Sequence, residues 1–322
     1  MSTGEPTGPR QAYRDTLVEL ARADRRIFCI DADTMGLQST FGEEMPERYV
    51  NVGIAEATAI SLAAGLAASG QTPWFATMAT FVTFRAAEQI KVDVVGNDQP
   101  VKLVGSHGGF AAGHLASTHH ALEDIAVMRS LPKMTVVVAA DGARVERLVP
   151  ALAQVPGPTY LRLGRDEKLD IGGDLEQLVV GEALTLREGD DVAIVASGGY
   201  PLTFALEAHQ ALAEQGIDAR VIEMHTIAPL DAEAIIDAAA STAGIVTVED
   251  HRVVGGLASA VAEVTAARLP CRVVPVAVPL GDRVRGLVGG HLDLLETAGV
   301  HTEAVVEAAR ALVHSEQVAA PG

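Results

Sequence analysis

VNVGIAEATAISLAAGLAASG, residues Val50 to Gly70, is the stretch from which the rest of the chain takes its order. It opens as a short β-branched strand and turns directly into a helix of small apolar residues. Small side chains let a helix lie close on a buried parallel sheet, so the stretch reads as one unit of an α/β layer. Glu56 falls in the first turn of that helix, and no other carboxylate stands between Arg48 and Glu88. Such an acid is either a helix-start charge favoured by the helix dipole or a functional group. Its neighbours decide between the two.

Outward from Glu56 the same pattern repeats. Before it, Arg10 to Ala23 carries helical spacing (Leu17, Leu20, Ala21), and RIFCIDAD reads as a buried strand ending in Asp31 and Asp33. After it come the strand PWFAT, a helix over FVTFRAAEQIKVDVV and the strand VKLVGS. The loop SHGGFAAGHLASTHH follows, then the helix ALEDIAVMRSL, the strand TVVVAA, the helix GARVERLVPALAQV and the strand TYLRLGR. Strands alternating with helices predict parallel βαβ units. Open α/β sheets bind ligands beyond the carboxyl ends of their strands. The acids after Ile30, the turn at Glu56 and the histidine loop after Val104 all stand there. An acidic, glycine-containing shift in DEKLDIGGDLEQLVVGEA marks a connection, and a second βα series follows it. The expected fold is therefore α/β, two doubly wound domains with mostly parallel sheets: residues 10–168, a linker at 169–184, and residues 185–315. The first nine residues and the tail from Ser315 are expected to be loose. A last helix is expected from Thr302 to Leu312.

Bulk composition narrows the function. The 322 residues are 48% hydrophobic and 20% charged, with aromatics at 4% and a net charge of −18. So acidic a surface argues against nucleic acid and anionic membrane as partners. Cys29 and Cys271 lie far apart in apolar runs and read as buried thiols of a reducing compartment. The N-terminus has no apolar signal segment, and the run Ala57 to Ala68 is too short to span a bilayer. A cytoplasmic, soluble protein is expected.

No phosphate-binding P-loop, dinucleotide fingerprint, serine nucleophile elbow or Cys/His metal spacing occurs. The histidine loop is the richest feature: His107, His114, His119 and His120 are four of the ten histidines. Histidines titrate near neutrality and can move protons, although a loop histidine can equally serve the backbone alone. Phe81 and Phe84, three apart, share a helical face that suits either core packing or stacking.

In this order, VGIAEATAISLAAGLAASG, MATFVTFRAAEQI, GSHGGFAAGHLASTHHALEDIAVMR and YLRLGR resemble the C-terminal half of transketolase, above all the C-terminal subunit of split transketolases. EMHTIAPLD and VTVEDHRVVGGLASAV resemble the family's C-terminal domain. The resemblance covers about residues 10–314. It implies a pyrimidine-binding domain for thiamine diphosphate followed by a transketolase C-terminal-like domain. Glu56 matches the glutamate that bonds the ring nitrogen N1′, favouring the tautomer that removes the thiazolium C2 proton. That carboxyl is expected to be buried and to share a proton. A two-carbon ketol unit then passes from a ketose to an aldehyde. Phe81 matches the stacking aromatic and Phe84 a flanking one. Met78 stands where a third aromatic is usual, and Asp33 aligns with an aspartate near the cofactor. His107 and His119 match two substrate histidines. Arg10 and Arg165 match two arginines that grip the sugar phosphate, where a guanidinium fork suits the geometry.

Two departures from the family carry information. Between the two histidines the family carries an acid, an aspartate and a glycine, where this chain has His114, Leu115 and Ala116. Leu115 removes an acceptor for a sugar hydroxyl, so a specialised acceptor, as in secondary metabolism, is expected. The family's Gly-Asp-Gly for diphosphate and metal is also absent; the nearest strings begin at Gly173, Gly189 and Gly281. The resemblance therefore implies that an N-terminal subunit holds the diphosphate and its Mg²⁺ or Ca²⁺, in an α2β2 heterotetramer, and that His251 is interfacial or structural. Two other readings remain open: the β subunit of a 2-oxo acid dehydrogenase decarboxylase, and a non-catalytic regulatory subunit.

Overall fold

The computed structural model describes residues 6–319 except 166, 282, 283 and 285. The first half supplies strands β1 (Ile27–Asp31), β2 (Tyr49–Asn51), β3 (Thr72–Met78), β4 (Lys102–Ser106), β5 (Thr135–Val138) and β6 (Thr159–Arg162). The second supplies β7 (Leu184–Arg187), β8 (Val192–Ser197), β9 (Ala219–Glu223), β10 (Thr226–Ala228), β11 (Ile245–Arg252) and β12 (Val273–Val278). One sheet runs β10-β5-β6-β4-β3-β1-β2 and the other β12-β11-β8-β9-β7. All pairs are parallel except β10 on β5 and β7 on β9. The two mostly parallel α/β sheets agree with the expected fold class.

Buried strands need helices on both faces, and the small-residue helix Glu56–Ala68 meets this by burying Ala59, Ile60, Ala63, Ala64 and Ala67. From β2 the chain crosses back over β1 to reach β3. The crevice between the carboxyl ends of β1 and β3 is thus a switch point of the sheet, the place where such folds seat ligands.

Several local expectations change. The helix expected over residues 81–95 is broken. It runs as Ala79–Phe84, then Ala87–Gln89, then a π-wound turn Ile90–Val95. Thr83 Oγ1 bonds back to the carbonyls of Ala79 and Thr80 at 2.6 and 3.2 Å, and Ala86 leaves helical geometry (φ −118°, ψ 13°). Back-bonding of this kind competes with the helix ladder and bends it. The helix after the histidine loop starts at Asp124 rather than Ala121, because Ala121 pairs across to Gly109. Cys29 is buried, but Cys271 is only half-buried. The first helix starts at Pro9, within the stretch expected to be loose, where a proline suits the first helical position. The last helix extends from Thr302 to Ala319, so the loose tail expected from Ser315 is helical that far. Residues 1–5 and 320–322 lie outside the described residues. No helix among the described residues is long and apolar enough to cross a membrane.

The two halves are tied by buried charge. Arg144 lies in the helix Gly142–Gln154. It makes a fork onto Glu223 of β9 (Nε–Oε1 and Nη2–Oε2, both 2.7 Å) and also holds Asp141 at 2.8 Å. Arg162, at the end of β6, donates to Asp124 (2.8 Å) and to Asp250 of β11 (2.5 Å). Tyr160 Oη adds a 2.7 Å bond to the same Asp124 oxygen. Burial would raise the Asp250 carboxyl, but Arg162 and the neighbouring His291 pull it down to about 2.

Candidate active site

Glu56 opens its helix with 2% of its surface exposed. Its carboxylate receives Arg85 Nη1 at 3.2 and 3.3 Å. The same guanidinium lies 4.0 Å from the centroid of the Phe81 ring. One flat, N–H-donating group therefore touches the acid and the aromatic face together. A buried acid and an aromatic face are the two contacts an aminopyrimidine ring requires, so the chemistry of these side chains suits that ring. Sequence reasoning does not single out Arg85. Its position four residues after Phe81, on the same helical face, is the one signal that could have found it.

His119 meets Phe81 edge-on, with centroids 5.2 Å apart, and its Nδ1 pairs with Thr118 Oγ1 at 2.9 Å. Glu56, Phe81 and His119 thus form one group. Met78, half-buried, ends β3 and precedes the Phe81 helix. Phe84 does not join the stack: 53% of it is exposed. Asp33 is exposed and has φ 59°, whereas Asp31 is the buried acid of that turn. Asp31 accepts from the Thr34 and Met35 amides at 3.4 Å, and burial raises its carboxyl.

His107 directly follows β4, whose last two residues, Gly105 and Ser106, pair with Arg162 of β6 and Met78 of β3. It is 3% exposed, and its Nδ1 pairs with Ser106 Oγ at 2.9 Å. The two glycines after it sit directly on the buried ion pair. A Cβ on Gly108 would come 2.7 Å from the Arg162 guanidinium carbon, and one on Gly109 (φ +61°) 2.2 Å from Asp250 Oδ2. Only glycine fits that turn.

A second group gathers around Arg165. Its Nη1 stands 3.5 Å from the ring nitrogens of His114, and its carbonyl accepts the Arg10 amide at 3.4 Å. Leu115 is 40% exposed. His120 and His251 serve the structure. His120 packs edge-on to Phe110 at 5.0 Å and burial lowers its pKa. His251 is buried, accepting the Ala126 amide at 3.3 Å and pairing with the Arg252 carbonyl at 2.8 Å. Among the described residues no cluster of three or more His, Cys, Asp or Glu side chains could hold a metal ion.

Five described non-glycine residues have positive φ; Asp98 and Lys133 lie elsewhere, while His107 and Ala116 are in the histidine loop and Asp33 follows β1. Strained backbone gathers at functional sites. Ala116 is the most unusual (φ 66°, ψ −174°), a region occupied essentially by glycine alone. Ala116→Gly is expected to raise stability by about 1 kcal/mol, read as a higher urea midpoint. A lower midpoint would mean that the alanine methyl contributes more in packing than its backbone costs.

Both halves of the chain resemble known proteins. Residues 7–168 match the transketolase pyrimidine-binding domain, and residues 181–288 the transketolase C-terminal domain. An apulose-4-phosphate transketolase subunit of Phocaeicola vulgatus is 40% identical over 86% of this chain and 89% of its own length. The 6-deoxy-6-sulfo-D-fructose transketolase subunit SqwH of a Clostridium species is also 40% identical, over 79% of each chain. This chain spans 50% of human transketolase, at 35% identity over 96% of its own length. A solved structure described as a split gene transketolase, inactive beta4 tetramer, superposes with a TM-score of 0.85 at 37% identity. The match covers 97% of this chain and 99% of that one.

Proposed function

The chain belongs to the transketolase family, and from that premise we propose that it is the C-terminal subunit of a two-component transketolase, moving a two-carbon ketol unit from a ketose donor to an aldehyde acceptor. The observation that carries this reading is the buried Glu56 carboxylate and the Phe81 ring face held against one flat donor, at 3.2 and 4.0 Å from Arg85. Thiamine diphosphate, when bound, supplies the electron sink for breaking and making the carbon–carbon bond.

This chain's residues do the rest. Glu56 holds a proton at the ring nitrogen, in a place that water scarcely reaches. Phe81 offers a stacking face, with Met78 beside it. His107 and His119 hold and move protons on substrate oxygens. Arg165, with His114 and Arg10 beside it, receives the anionic end of the sugar. An N-terminal subunit would hold the diphosphate and a Mg²⁺ or Ca²⁺ ion, in a cytoplasmic α2β2 assembly. The relatives named as subunits and the tetrameric split-gene structure support oligomerisation with such a partner. Relatives named for apulose 4-phosphate and 6-deoxy-6-sulfo-D-fructose support a site open to specialised sugars, as does Leu115.

The test is co-purification with the N-terminal subunit, followed by thiamine-dependent transfer to a series of aldehydes. Activity is expected only when both subunits and cofactor are present. Leu115→Asp is expected to gain about tenfold in kcat/KM for hydroxylated acceptors, the worth of one hydrogen bond to a carboxylate. Transfer by this chain alone would overturn the two-component reading. A wild type equal to Leu115→Asp on hydroxylated acceptors would overturn the specialised acceptor.

A further inference from the structure

We propose that His291, supplied by the second half of the chain, is a positioning residue for the anion-binding end of the site, acting through Glu167 on Arg165. The proposal rests on the reading that Arg165 receives the terminal anion of the sugar.

A cavity of about 450 Å³ opens beside Arg165, and three separate segments line it. Gly113 and His114 come from the histidine loop, Arg165 and Glu167 from the segment after β6, and Gly289 to His291 from the second half. The last segment is seated closely on the histidine loop. The Gly289 amide bonds the Gly113 carbonyl at 3.3 Å, and a Cβ on Gly113 would come 2.7 Å from the Gly289 oxygen and 2.5 Å from Leu294 Cδ1. The second half thus forms one wall of the cavity at a fixed distance.

The connection from that wall to Arg165 is polar and half-buried. His291 opens the helix His291–Ala298 and directs Nδ1 to Glu167 Oε1 at 3.0 Å. The other carboxylate oxygen, Oε2, takes the Arg165 amide at 2.6 Å. Glu167 therefore pins the backbone that carries the guanidinium. Behind the imidazole, Asp250 Oδ2 stands 3.6 Å from Nε2, and the Tyr200 ring packs edge-on with centroids 4.8 Å apart. Burial alone would push the imidazole down, but the charges of Asp250 and Glu167, with the bond to Glu167, outweigh it and hold it above its usual value. Glu167 is drawn the other way. Burial would raise it, and His291 with the local amides lowers it. His291 thus neutralises a carboxylate that would otherwise repel an anion at Arg165, and it fixes the orientation of that carboxylate.

The experiment uses the complex with the N-terminal subunit. A ketopentose with and without its terminal phosphate is compared as donor, and inorganic phosphate is compared with methanesulfonate as competitive inhibitor. His291→Ala is expected to reduce discrimination for the phosphorylated donor about tenfold, with most of the loss in KM rather than kcat. Inhibition by the anion weakens in parallel, and whichever anion loses more identifies phosphate or sulfonate as the group served. His291→Gln, which keeps a donor toward Glu167, recovers most of the discrimination. Arg165→Ala separates this proposal from the reading beneath it. If Arg165→Ala leaves discrimination intact, the anion reading fails and the proposal with it. If Arg165→Ala abolishes discrimination while His291→Ala leaves it unmoved, His291 only holds the fold and the proposal alone is overturned. Where His291→Ala does not fold, unchanged discrimination in His291→Leu, which fills similar space without a donor toward Glu167, overturns it equally.

Discussion

Glu56→Gln, assayed in the complex with the N-terminal subunit and saturating cofactor, is expected to lower kcat by about 10²–10⁴-fold, the usual worth of a positioned acid or base. The amide keeps the shape and still accepts a hydrogen bond, but it cannot share a proton with a ring nitrogen. Glu56→Ala should fall at least as far. Neither change should disturb the fold much. The partner of Glu56 is Arg85, whose side chain is 48% exposed and can be rehydrated when the carboxylate is lost. A change within about 1 kcal/mol is expected, as for other half-exposed ion pairs. Urea unfolding beside the kinetic assay separates the two effects. Full activity in Glu56→Ala would remove the mechanism, whatever else the complex does.

Arg162→Met is expected to act on stability instead, costing about 3–5 kcal/mol. It would leave Asp124 and Asp250 buried without their cation, and an uncompensated buried charge is among the most damaging single changes. The measurement is the urea midpoint, with the slope watched for a change in what unfolds. Asp250 also sets a pH dependence. Its folded pKa of about 2 lies below the ordinary 3.8, so it binds fewer protons folded than unfolded. The stability it supplies is full above about pH 4 and is lost as pH falls through 2. Arg162→Met should therefore flatten the acid limb of the stability curve. Because Gly108 and Gly109 rest on this pair, the His107 turn should loosen as well, and activity should fall in any protein that remains folded. An unfolding free energy within about 0.5 kcal/mol of wild type would show that the pair contributes little, as an apolar replacement sometimes does.

The sheet-and-helix order was legible because each strand of the parallel layers is a short apolar run ending at a polar loop. Glu56, Phe81 and His119 could be grouped only through the resemblance to the transketolase family, because spacing alone left Phe81 and the loop histidines open to packing or backbone roles. Phe84 marks where that pattern stops working. It shares the spacing of Phe81, yet the helix ends there and its ring turns outward. The break after Phe84 depends on Thr83 bonding back to its own turn, which periodicity does not register. Asp31 and Asp33 are both acids at one strand end, and only the backbone turn decides which is buried. Arg85 and His291 were invisible for another reason. Each acquires its acidic partner from a segment distant in sequence, Glu56 in one case and Glu167 in the other, so the i, i+4 spacing of Phe81 and Arg85 is the one local hint of either.

The short strand β10 has a consequence for how this chain can be divided. It leaves the second half, crosses to the first sheet and caps β5, with Ala228 paired to Val136. A fragment ending in the connection near residue 168 would bare the hydrogen-bonding edge of β5, a run of four buried residues. It would also strip Arg144 and Arg162 of Glu223 and Asp250. Bare apolar edges recruit other chains, so such a fragment should aggregate rather than fold. Two sheets can be drawn separately here, but for the polypeptide they are a single inheritance: recombination, truncation or grafting has to carry residues on both sides of the connection together.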